Sequence, residues 1–435
     1  MTTPDRPRSG RYIDVLETRE EMVTEPIPDR GFRAPGTGHM VAGSLIGAIG
    51  SYLFQLVGGR ALGTEAFAPI SVLWTVFFIL ATVVLVPLEQ YITREASLGK
   101  RVLRVNLTPI VSVTAGAAVV GGVFALVTRD SLFDGDTVFA VQLALLIAGY
   151  AMLLVGKGVL AGHRQFKNIG WILFWESMVR LAAGILFLSF VANARVLGWA
   201  MVIAPLAALG TRFWRFDVPV VEDQEQGTAR SFLGAYIAGS AASQLMLAGA
   251  PLGVAALGGG PSLISITFFT FTLYRGPLTL IYALQGRILP YLVRLTEEGS
   301  AGLRRISLGV IIGGGSLTVA GGVVGYLVGP EVVALLLGSE FEPDRLVAAM
   351  AAAGVVAAST AQVAGQVLVA AGGTRRLATV WGAGLAVALT VMILAPLAAD
   401  RAVALGFLIG EVTSALAVAV MTLGVRRSGR VDAPA

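Results

Sequence analysis

Twelve apolar runs, most of them near the length of a membrane crossing, follow one another along the chain. They lie at roughly 38–59, 66–91, 106–128, 138–160, 168–191, 195–212, 231–256, 262–286, 305–328, 347–371, 377–398 and 402–424. A helix adds ~1.5 Å per residue, so about 20 apolar residues cross a hydrocarbon core ~30 Å thick. Inside lipid every backbone N–H and C=O must find a partner within the protein, which leaves helices or a closed barrel. Runs this long, without strict two-residue alternation, predict helices. The expected fold is therefore an all-α polytopic membrane protein of about twelve transmembrane helices. Charged residues are 14% of the 435, about half the ~25% of a soluble domain, so one large soluble core is excluded.

The positive charges predict sidedness. With the N-terminus inside, the inner loops carry sixteen lysines and arginines, among them Arg94, Lys100, Arg101 and Arg104, then Lys157, Arg164 and Lys167. The outer loops carry five: Arg60, Arg129, Arg195, Arg345 and Arg401. Basic residues accumulate on the cytoplasmic side, so both termini are expected in the cytoplasm and the protein in the inner cell membrane. The formal net charge of +5 is accounted for by these clusters, and no nucleic-acid partner is expected.

Residues 1–36 are polar, with six arginines and seven acids, and read as a disordered cytoplasmic tail rather than a signal peptide. An acidic stretch, Glu222-Asp223-Gln224-Glu225, marks 213–230 as a cytoplasmic linker between a six-helix lobe at 37–212 and another at 231–424. Residues 425–435 form a C-terminal tail. Gln55-Leu56, Phe77-Phe78 and Pro87-Leu88 in the first half are echoed by Gln244-Leu245, Phe268-Phe269 and Pro277-Leu278 in the second. Both halves begin inside, so the expected relation is a parallel pseudo-repeat. Gly43 with Gly47, Gly309 with Gly313, and Gly321 with Gly325 have the spacing that lets helices approach closely in lipid.

A few polar residues interrupt the apolar spans. Arg275 lies about 20 Å from the outer end of its run, near the bilayer midplane, where a charge costs at least ~2.5–3.5 kcal/mol on insertion scales. Pro277, two residues on, weakens the local helix because it has no N–H to donate. Arg275 either lines a polar cavity or is a structural arginine bonded to carbonyls that Pro277 frees. Glu176 and Arg180 share one helical face at i,i+4 with the glutamate first. They form either a self-neutralised pair or a cavity-facing one in which Glu176 exchanges a proton. Glu411 is alone in the last span and reads as an ion-coupling carboxyl or as one paired with a neighbouring helix. Gln55 and Gln244 are mid-span amides suited to a polar cavity. Glu89 with Arg94 is expected as a solvated boundary cluster, and His39 and His163 as solvated histidines.

The absences matter too. There is no cysteine and there are only two histidines, so a thiolate or histidine metal site is not expected. No phosphate-binding GxxxxGK[ST], GxSxG or HExxH occurs. Neither an enzyme nor a cofactor is expected.

Four stretches carry a resemblance. They are Tyr52-Leu-Phe-Gln-Leu-Val-Gly-Gly-Arg-Ala-Leu-Gly63, Gly162-His-Arg-Gln-Phe166, Arg275-Gly-Pro277 with Pro290 and Arg294, and Gln366 through Gly372-Gly373-Thr374-Arg375-Arg376. In this order and spacing, over about residues 38–424, the chain resembles the polysaccharide-flippase branch of the multidrug/oligosaccharidyl-lipid/polysaccharide (MOP) exporter superfamily. The resemblance implies two lobes around a partly cationic cavity. It implies alternating access for a polyprenyl-pyrophosphate-linked oligosaccharide, with Arg275 as a cavity arginine and Arg180 and Arg60 as further cations. Membrane lipids, and glycosyltransferases or a polymerase of the same pathway, are the implied partners. The chain lacks the two extra helices and the clustered early arginines of the lipid II flippases, which disfavours lipid II itself. A drug or small-cation antiporter on the same fold, and a membrane scaffold for envelope biosynthesis acting through residues 1–36, are the competing readings.

Overall fold

The computed structural model describes residues 35–99, 102–105, 107–217, 241–276, 278, 300–370 and 374–423, all of them in helices, turns or short irregular links. Twelve helical segments organise them: α1 (Thr37–Ala66), α2 (Ala68–Ser97), α3 (Leu107–Val127), α4 (Val138–Gly162), α5 (Phe166–Phe190), α6 (Ala194–Phe216), α7 (Ala250–Ala256), α8 (Pro261–Tyr274), α9 (Ser300–Leu337), α10 (Arg345–Ala370), α11 (Thr374–Leu394) and α12 (Ala399–Leu423). Residues 241–248 are also helical. Among the described residues ten helices are long and apolar enough to cross a membrane, and the chain is a multi-pass membrane protein. Pro277, Arg287, Pro290, Arg294, residues 1–34, 218–230 and 425–435 lie outside the described residues.

α1 to α6 pack mainly on one another, and so do α9 to α12. The pairs α3·α4, α4·α6 and α5·α6 have counterparts in α9·α10, α10·α12 and α11·α12. α8 reaches across to α1 and α2. The two sets meet tightly at one end. There Phe67 stacks on Phe269 at 4.9 Å and Phe269 meets Phe341 edge-on at 5.2 Å. Beside them the Thr64 hydroxyl donates to Ser262 Oγ at 3.1 Å, and Arg60 Nη2 donates to the Leu335 carbonyl at 2.9 Å.

Glycine sets the closest helix contacts. A Cβ on Gly43 would stand 2.2 Å from the Gly170 carbonyl oxygen, and one on Gly170 would stand 2.3 Å from that of His39. α1 and α5 therefore touch backbone to backbone, where a side chain would hold them apart. Gly325 lies in similar contact with the Ala348 carbonyl of α10. Gly309 and Gly313 do not form the expected seam among the described residues, where nothing lies within 4 Å of a Cβ built on either; the contact falls on Gly314, against Thr360. One residue turns a helix by about 100°, so the pattern of spacing was legible but its facing was not.

α2 contains a π-turn at Ala81–Leu85, in which the Val86 N–H reaches back to the Ala81 carbonyl. It stands immediately before Pro87, whose missing N–H already breaks the regular ladder. Two polar expectations are corrected at this level. Lys157 is not in a loop, because α4 continues past it to Gly162, and its Nζ lies 3.1 Å from Glu89 with both side chains largely buried. Burial favours this pairing over the solvated cluster expected for Glu89. His163 is half-buried, with Nδ1 3.0 Å from the Val159 carbonyl.

Candidate functional site

A cavity of ≈ 410 Å³ lies between the two helix sets. Its walls come from α1, α2, α4 and α5 on one side, and from residues 241–248 and the end of α8 on the other. Five residues singled out from the sequence, Gln55, Glu176, Arg180, Gln244 and Arg275, come together on this lining. Among the described residues its charged members are Glu176, Arg180 and Arg275.

Arg180 is almost wholly buried, and its charge is met on every side. The i,i+4 spacing brings Glu176 against it as an ion pair. The Tyr150 hydroxyl of α4 joins the two, accepting from Arg180 Nη2 and donating to Glu176 Oε1. Arg180 Nη1 donates to Ser51 Oγ at 2.9 Å, and the guanidinium lies 5.2 Å from the centre of the Trp74 ring. A buried charge needs a countercharge and filled hydrogen-bond positions. This set supplies both, from α1, α2, α4 and α5. The pair is thus self-neutralised and still stands on the cavity wall.

Arg275 is held in a different way. Its Nη1 donates to the Leu247 carbonyl at 2.9 Å, its Nε to the Phe271 carbonyl at 3.2 Å, and its Nη2 to Thr272 Oγ1 at 3.3 Å. The Phe78 ring lies 5.5 Å away across the cavity. The Leu247 carbonyl is available for a local reason. In a regular helix it would accept from residue 251, but that residue is Pro251, which has no N–H. The helix accordingly breaks at Gly249, and α7 starts anew. The carbonyl that receives Arg275 is thus freed by Pro251, not by Pro277 as the structural reading of the sequence expects. Pro277 itself lies outside the described residues.

Around these charges the lining is aromatic and amide-bearing. Tyr52 donates its hydroxyl to the Thr272 carbonyl at 3.2 Å and so spans the two walls. Gln55 is 5% exposed, and its Oε1 has no hydrogen-bond partner among the described residues. Such an amide can receive a donor from a guest. Sequence reasoning missed Tyr150, Ser51, Trp74 and Pro251. Only Pro251 left a signal, four residues after a carbonyl in an otherwise helical run.

Glu411 lies elsewhere. It is fully buried in α12, away from the cavity lining, and neither carboxyl oxygen has a hydrogen-bond partner among the described residues. Among the described residues it is not paired with a neighbouring helix. Among the described residues no three histidine, cysteine or carboxylate side chains gather as a metal site.

No protein-family profile matches the chain. Two curated relatives, uncharacterized proteins from Mycobacterium tuberculosis strains CDC 1551 and H37Rv, are each 25% identical to it, over 92% of this chain and 95% of theirs. Among solved structures, an inward-facing multidrug resistance MATE family transporter of the MOP superfamily superposes with a TM-score of 0.61 at 14% identity, covering 88% of this chain and 97% of its own. A MOP superfamily transporter from Pyrococcus furiosus gives 0.60 at 15%, covering 92% and 98%. An outward-facing MATE transporter gives 0.54 at 16%, covering 92% and 97%. At these identities the likeness establishes a MATE-like fold.

Proposed function

We propose that this protein is an alternating-access transporter that carries a lipid-linked anionic glycan precursor, its pyrophosphate drawn to Arg275. The observation behind this reading is the charge that the described residues place on the cavity lining: two arginines and one glutamate, with the glutamate matched to Arg180. Arg275 stands on the lining with its guanidinium bonded to the Leu247 and Phe271 carbonyls, and guanidinium groups bind phosphate oxygens through charge-assisted hydrogen bonds. The volume, ≈ 410 Å³, falls in the ~300–1,000 Å³ range of pockets for one small ligand. It suits a pyrophosphate with its first sugars, leaving the polyprenyl chain in lipid. Gln55 and Gln244 would meet the sugar hydroxyls. For the Pyrococcus furiosus MOP transporter, a reversed polarity of the binding pocket is taken to suggest a different function.

Two six-helix lobes, with both termini in the cytoplasm, would rock about this site. The cysteine-free chain allows a direct test of the motion. Thr64→Cys with Ser262→Cys, introduced where the hydroxyls lie 3.1 Å apart, should stop transport on oxidation and restore it on reduction.

Export of an organic cation is the second reading. Glu176 and the aromatic residues Tyr52, Trp74, Phe77 and Phe78 on the lining favour it. The deciding experiment reconstitutes the full chain in vesicles and follows a fluorescent polyprenyl-pyrophosphate disaccharide beside ethidium. The flippase reading expects the glycolipid to cross, and Arg275→Ala to slow its crossing about 10–100-fold. Ethidium export that survives Arg275→Ala, with no movement of the glycolipid, would establish the antiporter instead. Glycan export that survives Arg275→Ala but fails on deletion of residues 1–36 would point to a scaffold.

A further inference from the structure

Glu411 has no part in the cavity chemistry, yet it occupies an unusual place. Both of its carboxyl oxygens are buried and unmatched, and one turn on the buried Ser414 hydroxyl is unmatched as well among the described residues. An ionised carboxylate without a partner is strongly disfavoured in a helix bundle surrounded by lipid, whereas the neutral acid is tolerated. The packing around it is one that suits the neutral acid.

Among the described residues the surroundings offer no countercharge along the middle of the bundle. α12 packs against α7, α9, α10 and α11. It also meets α8, where Phe407 lies 5.1 Å from Phe271, and the 241–248 segment, where Met246 Sδ lies 3.2 Å from a Cβ built on Gly410. Residues 241–256 carry no titratable side chain, nor does α10 beyond Arg345, nor α11 beyond Arg376. α9 carries Arg304 and Arg305 near its start, and Tyr326 and Glu331 toward its far end. Glu331 is paired with Arg345. α8 contributes Tyr274, next to Arg275, whose guanidinium is turned to Leu247. On α12 itself Asp400 and Arg401 are about 15 Å or more away along the axis, and Arg401 is paired with Asp344 at 2.9 Å. The polar groups of the mid-bundle are neutral, as in Gln362, whose amide donates to Ser243 Oγ at 3.2 Å.

The segment 241–248 is a wall shared by the two regions. Gln244 and Leu247 face the cavity, and the Leu247 carbonyl holds Arg275. Ser243 and Met246 face the other way, toward α10 and α12. We propose that Glu411 is a proton site whose loading governs the packing of α12 on this shared wall, and through it the position of Gln244 and Arg275. With the proton in place the helices pack as described. When the O–H bond breaks and water takes the proton, the carboxylate has to reach water or a donor. α12 then shifts against 241–248. The ligand is a proton and not a metal cation, because one carboxyl and one hydroxyl fall well short of the roughly six oxygens a hard cation gathers. The inference does not depend on which substrate the cavity takes.

Dicyclohexylcarbodiimide, an apolar reagent that modifies protonated carboxyls within membranes, tests the loading directly. The full chain, in phosphatidylethanolamine/phosphatidylglycerol vesicles, is treated between about pH 5 and about pH 9, a range bracketing the ordinary carboxyl and imidazole values, and its peptides are read by mass spectrometry. The expected result is an adduct on Glu411 that is lost as pH rises and is indifferent to exchange of sodium for potassium. A second measurement reads the link to the cavity. An environment-sensitive fluorophore on Gln244→Cys should change emission with pH, and E411Q, the neutral isostere, should remove that change. Absence of the adduct at every pH, protection by sodium, or a pH response that persists in E411Q would each overturn the proposal.

Discussion

Arg180 and Arg275 stand on facing walls of one cavity, and the protein accommodates them by opposite means. Arg180 is locked into a charge-matched set with Glu176 and Tyr150, built from four helices. Arg275 is half-buried and rests on the carbonyls of Leu247 and Phe271. A carboxylate cancels a cation's field, while a carbonyl dipole lowers its desolvation penalty and leaves the charge in place. The difference assigns the walls separate duties. The Arg180 wall is an architectural joint, whereas the Arg275 wall is held through main-chain carbonyls beside the helix break at Gly249.

The comparison breaks most visibly at Glu176. Glu176→Ala strands a buried guanidinium, and removing one partner of a buried pair typically costs ~3–5 kcal/mol. A large drop in melting temperature is expected in detergent, with most of it recovered in the double variant Glu176→Gln/Arg180→Met. If Glu176→Ala melts like the parent, the wall is not a joint. Arg275→Ala should show the reverse balance, with little change in melting but a transport loss of about 10–100-fold, since a hydrogen bond to a charged group contributes ~1.5–3 kcal/mol. A smaller effect is expected at Pro251. Pro251→Ala restores an N–H that competes for the Leu247 carbonyl, lowering glycolipid transport a few-fold while stability changes by less than about 1 kcal/mol. Unchanged transport there would show that this carbonyl does not position Arg275.

The smallest effect lies away from the cavity, at Asp344. Burial alone would push its carboxyl up, but the Arg401 guanidinium and the Val347 and Leu346 amides outweigh that and hold it below the ordinary value. A depressed carboxyl adds stability above its unfolded-state value and loses it as pH falls through the folded one. Asp344 is a third exposed, so less than ~1 kcal/mol is involved. Asp344→Asn should lower stability by that small amount at neutral pH, match the parent at low pH, and so flatten the acid limb of the melting profile.

Helix existence was legible because lipid imposes one solution on each long apolar run. The i,i+4 relation of Glu176 to Arg180 was legible for a similar reason, being fixed by the geometry of a single helix. The third member of that set was not, because Tyr150 is 26 residues from Glu176 in sequence and meets it only when α4 packs on α5. The acceptor of Arg275 was hidden likewise, since Leu247 is 28 residues away. Lys157 misled for a different reason. A lysine near a helix end resembles a topological marker until its partner, Glu89, is brought in from another helix.

The contact between Gly43 and Gly170 has a mechanical consequence. With the α1 and α5 backbones touching there, the two helices behave as a single beam, and Ser51 and Arg180, set a few turns along it, cannot shear past one another. Whatever motion opens the cavity has to carry this beam whole. Gly43→Ala or Gly170→Ala would act as a shim driven into its seam, detuning the Arg180 wall from a site several turns away.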